Sequence, residues 1–575
     1  MGTGGITVNE CYVITGRIEA CHGQPRILRR PPFIETNGHR FSSQTDSEVI
    51  LHLYEEEGYE LVHHLIGMFA FALWDERKQV LILARDHVGV KPLLYYWDGR
   101  RCLFASELHS LILDPTIPRQ IDKTGLELYL ALNYIPAPYT IFQACRKLEP
   151  AQMVIVRDGQ LVSRKYWDPM SGPKWHGREE ECIELLRTLL TQAISRQMIA
   201  DVPLGAFLSG GIDSSIICAL MAQNSPHPIK TFTIGYPDMP LYDERAYART
   251  IAQRYETEHH EVLLTAQHMT SAVPEVLTHL DEPFADSSAI PMYVIARETR
   301  GEVTVALSGD GGDELFAGYR VYRGEAWYQR YRRLPAVIRH RLIEPVITGL
   351  PENRNTRWGD YVRQAKKFLR GQGATLWERF VGWNEVFPPS VRSSLLQGHQ
   401  TLSPVPTETI FRPLLEKEAG DPINRLLYAD FTVSLPGDML WKVDRMSMAH
   451  SLEVRVPLLD HLLCEFMFSL PGQIKLHRGR AKYIFITAFR DLLPEEIQKR
   501  PKWGFEIPIS RWLGTSMKYL IDQYLSLANV TRQGVFHPPT VDRMVRDFLS
   551  GKSDTAWHIW NLIVFQAWYE RYLGT

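Results

Sequence analysis

The sequence predicts an α/β chain in two unlike parts: an antiparallel, β-rich α+β part in front, and a parallel sheet covered by helices behind it. Three observations predict it. Short apolar, β-like runs separated by tight turns fill much of residues 68–167. A breaker cluster, Pro169-Met170-Ser171-Gly172-Pro173, then interrupts that texture. Beyond it, helical and strand patterns alternate one by one, as in the βαβ units that build a parallel sheet with helices on both faces.

Taken in order, residues 1–36 fit neither part. They begin glycine-rich, carry Arg29-Arg30-Pro31-Pro32-Phe33, and show neither helical nor strand periodicity. Residues 46–58 read as a helix. β-like runs follow at 68–74, 80–84, 93–97 and 102–105, with turns at 75–78 and at Asp98-Gly99. A further run at 152–156 passes through an Asp158-Gly159 turn into 161–167. In the second part a helix at 179–198 precedes a strand ending at Leu208, followed by a helix. Strands at 230–235, 259–264 and 303–307 then alternate with helices at 243–255 and 289–299. From about residue 319 the pattern is mostly helical, and no internal repeat or low-complexity tract interrupts it.

Bulk properties narrow the function. The chain has 575 residues, 45% hydrophobic and 23% charged, enough for two or more domains with cores. A net charge of −2 gives no electrostatic basis for a nucleic-acid partner. Seven cysteines are scattered without C-x-x-C or Cys/His zinc spacing, which suits a reducing compartment. No apolar run approaches the ~18 residues of a membrane span, and no signal-like segment opens the chain. The expectation is a soluble, cytoplasmic protein with neither nucleic acid nor membrane as partner.

The chemistry concentrates at strand ends. Ser209-Gly210-Gly211-Ile212-Asp213-Ser214 sits between an apolar strand and a helix, where backbone N–H groups and a helix N-terminus face an anion. Its glycines allow close approach of phosphate oxygens, its serines add hydroxyl donors, and Asp213 can hold a divalent cation. It lacks the lysine that ends a G-x-x-x-x-G-K-[ST] loop. It resembles the pyrophosphate-binding loop of the N-type ATP pyrophosphatases, which cleave ATP between its α and β phosphates. After the strand at 303–307 comes Ser308-Gly309-Asp310-Gly311-Gly312-Asp313-Glu314, three carboxylates whose mutual repulsion calls for a cation. Mg²⁺ takes one or two carboxylates plus phosphate oxygens, so Asp213 and Asp313 are its candidate ligands. Further on, Glu453, Arg455 and Asp460 stand among apolar residues, as a buried ion-pair network or with Glu453 in a catalytic role; both readings stay open. Lys482 opens an apolar helix, and Arg500-Pro501-Lys502-Trp503-Gly504-Phe505 reads as a rigid turn.

Together these motifs resemble the glutamine-dependent asparagine synthetases of bacterial type. The resemblance runs from about Asn37 to near the C-terminus, through GMFAFALWD (67–75), ARD (84–86), GVKPL (89–93), FASE (104–107), SGGIDSS, SGDGGDELFAGY, LEVRVPLLD and the 500–505 turn. It implies a class II glutamine amidotransferase domain of the N-terminal-nucleophile fold, four-layered with two antiparallel sheets, at 37–170. Behind it, at 175–573, it implies a synthetase domain of the ATP pyrophosphatase, adenine-nucleotide α-hydrolase-like fold. The implied reaction adenylates the aspartate side-chain carboxylate with ATP and Mg²⁺. Ammonia, delivered through an internal tunnel, then converts β-aspartyl-AMP to asparagine and AMP. By motif, Leu208 and Ile234 flank the nucleotide, Ser209, Gly210, Gly211, Asp213 and Ser214 cradle phosphates, and Ser308 and Gly309 contact ATP. Asp310 falls where relatives often carry Glu, a position linked to adenylate formation, and Lys482 matches the lysine that stabilises developing charge. A homodimer is common in the family.

The front departs from the pattern. The family's nucleophile is a cysteine exposed as residue 1 after Met removal, its α-amine serving as base. Here position 2 is Gly, and neither Cys11 nor Cys21 precedes a Gly-Ile-Ala-Gly-like stretch. The R-G-P-D and N-G-E segments that hold glutamine and the oxyanion are absent, leaving Asp46 as the matching glutamine contact. Residues 1–36 therefore read as a replacement for the family front, from a truncated or frame-shifted gene. The remaining sheet is expected to carry a bare edge and an exposed apolar face. The reading that follows is a ligase making asparagine from aspartate and free ammonia, with glutamine hydrolysis lost. Alternatives are an amide ligase on another carboxylate, of β-lactam synthetase or lasso-peptide cyclase type, and a non-catalytic ATP-binding relative.

Overall fold

The computed structural model describes residues 6–8, 11–14, 34, 36–43, 45, 47–237, 243–350, 357–371, 373, 375–396, 405–416, 421–500, 507, 509–553 and 555–574. Its front supplies strands β1 (Ile6–Val8), β2 (Cys11–Ile14), β3 (Ala70–Asp75), β4 (Val80–Arg85), β5 (Leu94–Trp97), β6 (Cys102–Ala105), β7 (Cys145–Lys147), β8 (Gln152–Arg157) and β9 (Gln160–Lys165). They form two antiparallel sheets, of order β1-β2-β3-β4-β8-β9 and β6-β5-β7.

Alternation along the strands sends side chains to two cores. Phe71, Leu73, Val80 and Ile82 meet Val49, Ile50 and Leu53 of the helix Ser47–Glu57 on one face. Ala72, Leu83 and Val154 meet Leu93 and Leu148 under the smaller sheet on the other. Because both faces are covered, β3 and β4 read in sequence as nearly continuous apolar runs.

Two expectations about the front need correction. Residues 6–8 and 11–14 are strands, built from β-branched and aromatic residues such as Val8, Tyr12 and Val13. β2 runs antiparallel along β3, from Cys11 opposite Asp75 to Ile14 opposite Ala72. The edge expected to be bare is therefore paired. The apolar face expected to be exposed is covered, with Phe71 at 1% and Ile82 at 0% exposure. Any extended segment offers the same backbone N–H and C=O groups, so a strand can fill a sheet position without carrying a family motif.

The second part centres on five parallel strands: β10 (Leu204–Phe207), β11 (Lys230–Gly235), β12 (Glu258–Leu263), β13 (Val305–Leu307) and β14 (Glu453–Arg455). Their order is β12-β11-β10-β13-β14. The helices Ile212–Asn224, Arg245–Arg254, Ala266–His279 and Ala289–Arg300 lie along the connections. The order reverses direction between β10 and β13, opening a crevice at the C-terminal strand ends where such sheets bind ligands. β14 has three residues and follows a long helical stretch, too short a run to show a period.

The two parts are in contact. Lys91 Nζ bonds Asp444 Oδ1 at 2.9 Å, Lys147 pairs with Glu282, and Arg445 Nη1 reaches Glu107 Oε1 at 3.0 Å. A cavity of 390 Å³ lies between them, lined among others by Arg85, His87, Lys147, Glu282, Trp441 and Arg445. Among the described residues no helix is long and apolar enough to cross a membrane.

Candidate active site at the strand ends

The loop after β10 turns at Gly210, whose φ of +68° suits glycine. A Cβ there would lie 2.5 Å from the Tyr247 carbonyl carbon, so the position also demands a bare backbone. Ser209 Oγ accepts from Gly211 N at 3.2 Å and lies 3.1 Å from Ser214 Oγ, which closes the loop over the first turn of Ile212–Asn224. From outside, Arg500 donates to Ser209 O at 3.2 Å, pairs with Glu244 and stacks 4.3 Å from the Tyr247 ring centre. The rest of its predicted turn, residues 501–505, lies outside the described residues, as does Asp46.

The loop after β13 packs directly against the first. A Cβ on Gly309 would approach Ser214 N to 3.0 Å, and one on Gly312 would reach Asp213 Cγ at 2.6 Å. These glycines let two acidic loops touch. Their carboxylates then meet one cation: Lys482 Nζ pairs with Asp213 Oδ2 and lies 2.6 Å from Asp313 Oδ1. Burial alone would lower the lysine's pKa, but the two carboxylates raise it above the usual range. Lys482 takes left-handed backbone angles, φ +55°, at the start of Tyr483–Ala488, and its N–H bonds Phe316 O at 2.9 Å. The strain of a non-glycine residue there is held by that bond and by the ion pairs.

Asp310 turns back onto its own strand end, where Ser308 Oγ donates to its carboxylate. Burial raises the Asp310 pKa, opposed by that hydroxyl and by the charge of Lys442. Glu314 is pushed up to about 8 by burial and by the neighbouring Asp313 charge, and it accepts a 2.8 Å bond from Tyr319 OH. Leu208, one residue past β10, and Ile234, near the C-terminal end of β11, are both buried, with Leu208 N bonded to Phe232 O at 2.8 Å.

Glu453 does not join this cluster. It opens β14 opposite Val305, at the far end of the strand pair from Ser308, and bonds Arg455 Nε at 2.8 Å. Arg455 in turn donates to Gln197 O and to Ile199 O at 2.8 Å. Of the two readings left open, the geometry favours the ion pair.

A neighbouring group escaped the sequence reading. Lys442 Nζ bonds Asp286 Oδ2 and Ser288 Oγ, each at 2.8 Å. Burial and the Asp286 charge push the Asp438 pKa well up, while the Lys442 charge holds Asp286 below the usual carboxylate range despite its burial. The signal available was Asp281-Glu282-Pro283-Phe284-Ala285-Asp286, an acidic stretch set among apolar residues. Tyr322 OH donates to Asp430 Oδ2 at 2.7 Å, and burial lifts Asp430 to about 6.

Such an arrangement can bind a nucleotide's phosphates, carry a divalent cation and offset negative charge as a bond to phosphorus breaks. Comparison with known proteins gives the family. Residues 185–570 match the asparagine synthase family and residues 30–167 the glutamine amidotransferase domain. The chain is 32% identical over 540 residues to glutamine-hydrolyzing asparagine synthetase 1 of Bacillus subtilis, covering 93% of this chain and 82% of that protein. Asparagine synthetase 3 of the same organism is 29% identical over 82% of this chain and 72% of its own. Amidase chry2 of Gibberella zeae is 24% identical over 86% and 77%.

Proposed function

The chain belongs to the glutamine-dependent asparagine synthetase family, an ATP-dependent amide ligase, and from that premise we propose that it makes asparagine from aspartate and free ammonia. One observation carries the reading: Lys482 joins Asp213 and Asp313, from two loops at the switch point of a parallel sheet.

The donor set suits ATP with Mg²⁺. Ser209, Gly210, Gly211 and Ser214 offer hydroxyl and backbone donors to phosphate oxygens, Ser308 and Gly309 contact the nucleotide, and Leu208 and Ile234 flank it. Asp213 and Asp313 would hold the ion, which when bound neutralises the departing pyrophosphate. The aspartate side-chain carboxylate attacks the α-phosphorus, and the α–β bridging bond breaks to release pyrophosphate. Lys482 offsets negative charge growing on the phosphates in that step. Asp310, held by Ser308, positions the acceptor side of the adenylation. Ammonia then attacks the β-carbonyl carbon, and AMP leaves in place of the oxide that makes a free carboxylate unreactive.

Free ammonia is favoured because the R-G-P-D and N-G-E segments are absent and no cysteine sits in a family-like stretch. The boundaries we propose are 37–170 for the amidotransferase-like domain and 175–573 for the synthetase. The test is pyrophosphate release and asparagine formation from ATP-Mg²⁺ and aspartate, with ammonium or glutamine as donor. Turnover with ammonium alone is expected. Equal turnover with glutamine overturns the reading of the front, and folded, ATP-binding protein silent with both overturns aspartate as acceptor.

A further inference from the structure

A second group of titratable side chains converges at the front of the molecule, on the helix Ser47–Glu57 and the segment before it. His52 and Glu55 are three residues apart on that helix and share a face, and His39 reaches them from outside it. The Nδ1 atoms of His39 and His52 are 2.9 Å apart, and Glu55 Oε2 lies 3.4 Å from each.

The outer nitrogens face anions. His39 Nε2 donates to Glu56 Oε1 at 2.7 Å, and Asn37 Nδ2 fixes that carboxylate at 2.7 Å. His52 Nε2 stands 3.6 Å from Glu48 Oε1. Burial alone would raise the Glu48 carboxyl, but N–H and hydroxyl donors of Ser43 and Ser42 bring it down to about 2. A neutral imidazole carries one proton. With that proton on Nε2 of each ring, toward Glu56 and Glu48, two Nδ1 lone pairs and a carboxylate oxygen face a common centre. Three acceptors so placed repel unless a positive charge lies among them. One proton shared between the nitrogens would satisfy two of the three; an oxygen equidistant from both marks a centre with three ligands.

We propose that His39 Nδ1, His52 Nδ1 and Glu55 Oε2 form a divalent transition-metal site suited to Zn²⁺. The circle through the three atoms has a radius of about 1.9 Å, close to the ~2.0–2.2 Å that Zn²⁺ keeps to such ligands, so the ion sits slightly off their plane. Two imidazoles and one carboxylate are a ligand set Zn²⁺ accepts with its fourth position open. His52 is buried, whereas the His39 and Glu55 side chains keep 15% and 19% exposure, so the cluster has one buried and two partly exposed ligands. Glu56 behind His39 supplies the kind of carboxylate that orients a metal-bound imidazole, while the Glu48 charge stands 3.6 Å from His52 Nε2 without a hydrogen bond. The ion would staple residues 37–39 to the helix that covers the six-stranded sheet. A second cluster, Glu258, His260 and Glu302, makes a contrast: it has one imidazole, and Lys230 already pairs with both of its acids.

The full chain, stripped with a chelator and held in excess Mg²⁺ without ATP, is titrated with Zn²⁺ against a chromophoric chelator, and with Co²⁺ followed by visible absorption. One saturable Zn²⁺ per chain is expected, with the intense d–d bands of tetrahedral Co²⁺. His39→Ala and Glu55→Gln should each weaken binding by more than tenfold and change the Co²⁺ spectrum, while His260→Ala changes neither. Glu56→Gln keeps all three ligands and should weaken binding about tenfold, which keeps the test open if His39→Ala fails to fold by circular dichroism. Zn²⁺ binding undiminished in Glu55→Gln and Glu56→Gln, or no saturable binding in the folded native chain, overturns the site and leaves a shared proton between the two rings.

Discussion

In the C-terminal half, five parallel strands deliver two glycine-rich loops to one lysine; in the front half, two antiparallel sheets stand in a sequence that contains no R-G-P-D or N-G-E segment. Both halves are well packed. Phe71, Leu73 and Ile82 in front are as buried as Ala206, Phe232 and Leu307 behind. The difference teaches that packing and chemistry are specified separately. A sheet needs alternation and backbone partners, which many sequences supply, whereas a site needs a few side chains at fixed places.

The largest expected effect tests the complete half. Lys482→Ala removes the cation between Asp213 and Asp313 and leaves two carboxylates facing each other. Ammonia-dependent pyrophosphate release should fall about 10³-fold, with the fold intact by circular dichroism. A loss below about tenfold would break the reading of this cluster as the adenylation centre.

Gly210→Ala and Gly99→Ala sharpen the comparison. Both glycines have positive φ, +68° and +90°, but a Cβ on Gly210 meets the Tyr247 backbone while one on Gly99 meets open space. The first should lower kcat/KM for ATP about 30-fold, because the loop must shift from its donors. The second should cost about 1 kcal/mol of stability and leave kcat/KM within about twofold. Equal kinetic effects would mean that loop geometry after β10 does not set nucleotide binding.

These two glycines also mark what was legible. The turn at Asp98-Gly99 and the S-G-G-I-D-S loop announce themselves by residue type, and most strands around them by apolar runs. β14 does not, because three residues cannot display a period. β1 and β2 were hidden in a front that lacks any family motif, although Val8 and Tyr12 are good strand formers. At the site, Asp213, Asp313 and Lys482 could each be named, but not that Lys482 bridges the other two. Nor could Lys442 with Asp286 and Asp438 be seen, since they meet only when distant segments pack. Glu453 shows the reverse: an acid in a suggestive motif whose partner, Arg455, stands two residues away.

A smaller effect probes the electrostatics behind the loops. Burial and the Asp313 charge raise Glu314 to about 8 from an ordinary 4.5. Below 4.5 both folded and unfolded chains hold this proton. Between 4.5 and 8 the folded chain keeps a proton the unfolded chain has lost, so stability falls as pH rises, and the loss is complete above 8. Glu314→Gln cannot ionise, and its amide oxygen still accepts from Tyr319. Its Tm should match the native protein near pH 4.5 and exceed it by about 2–4 °C at pH 8. A Tm difference independent of pH would show that Glu314 titrates normally.

The smallest expected effect is none, and it bears on the front. In the family, the glutaminase cysteine uses its own α-amine as base. Cys11 lies within the chain on β2, opposite Asp75, so its nitrogen is a peptide nitrogen and cannot take up a proton as an amine does. Cleavage before Cys11 would free the amine but also detach β1 from the sheet edge. Cys11→Ser should therefore leave the ratio of glutamine-driven to ammonium-driven asparagine formation unchanged. A selective loss of glutamine-driven turnover in this variant would place a working nucleophile in the front half. It would also remove the asymmetry between the halves, since the front sheet would then carry chemistry as well as packing.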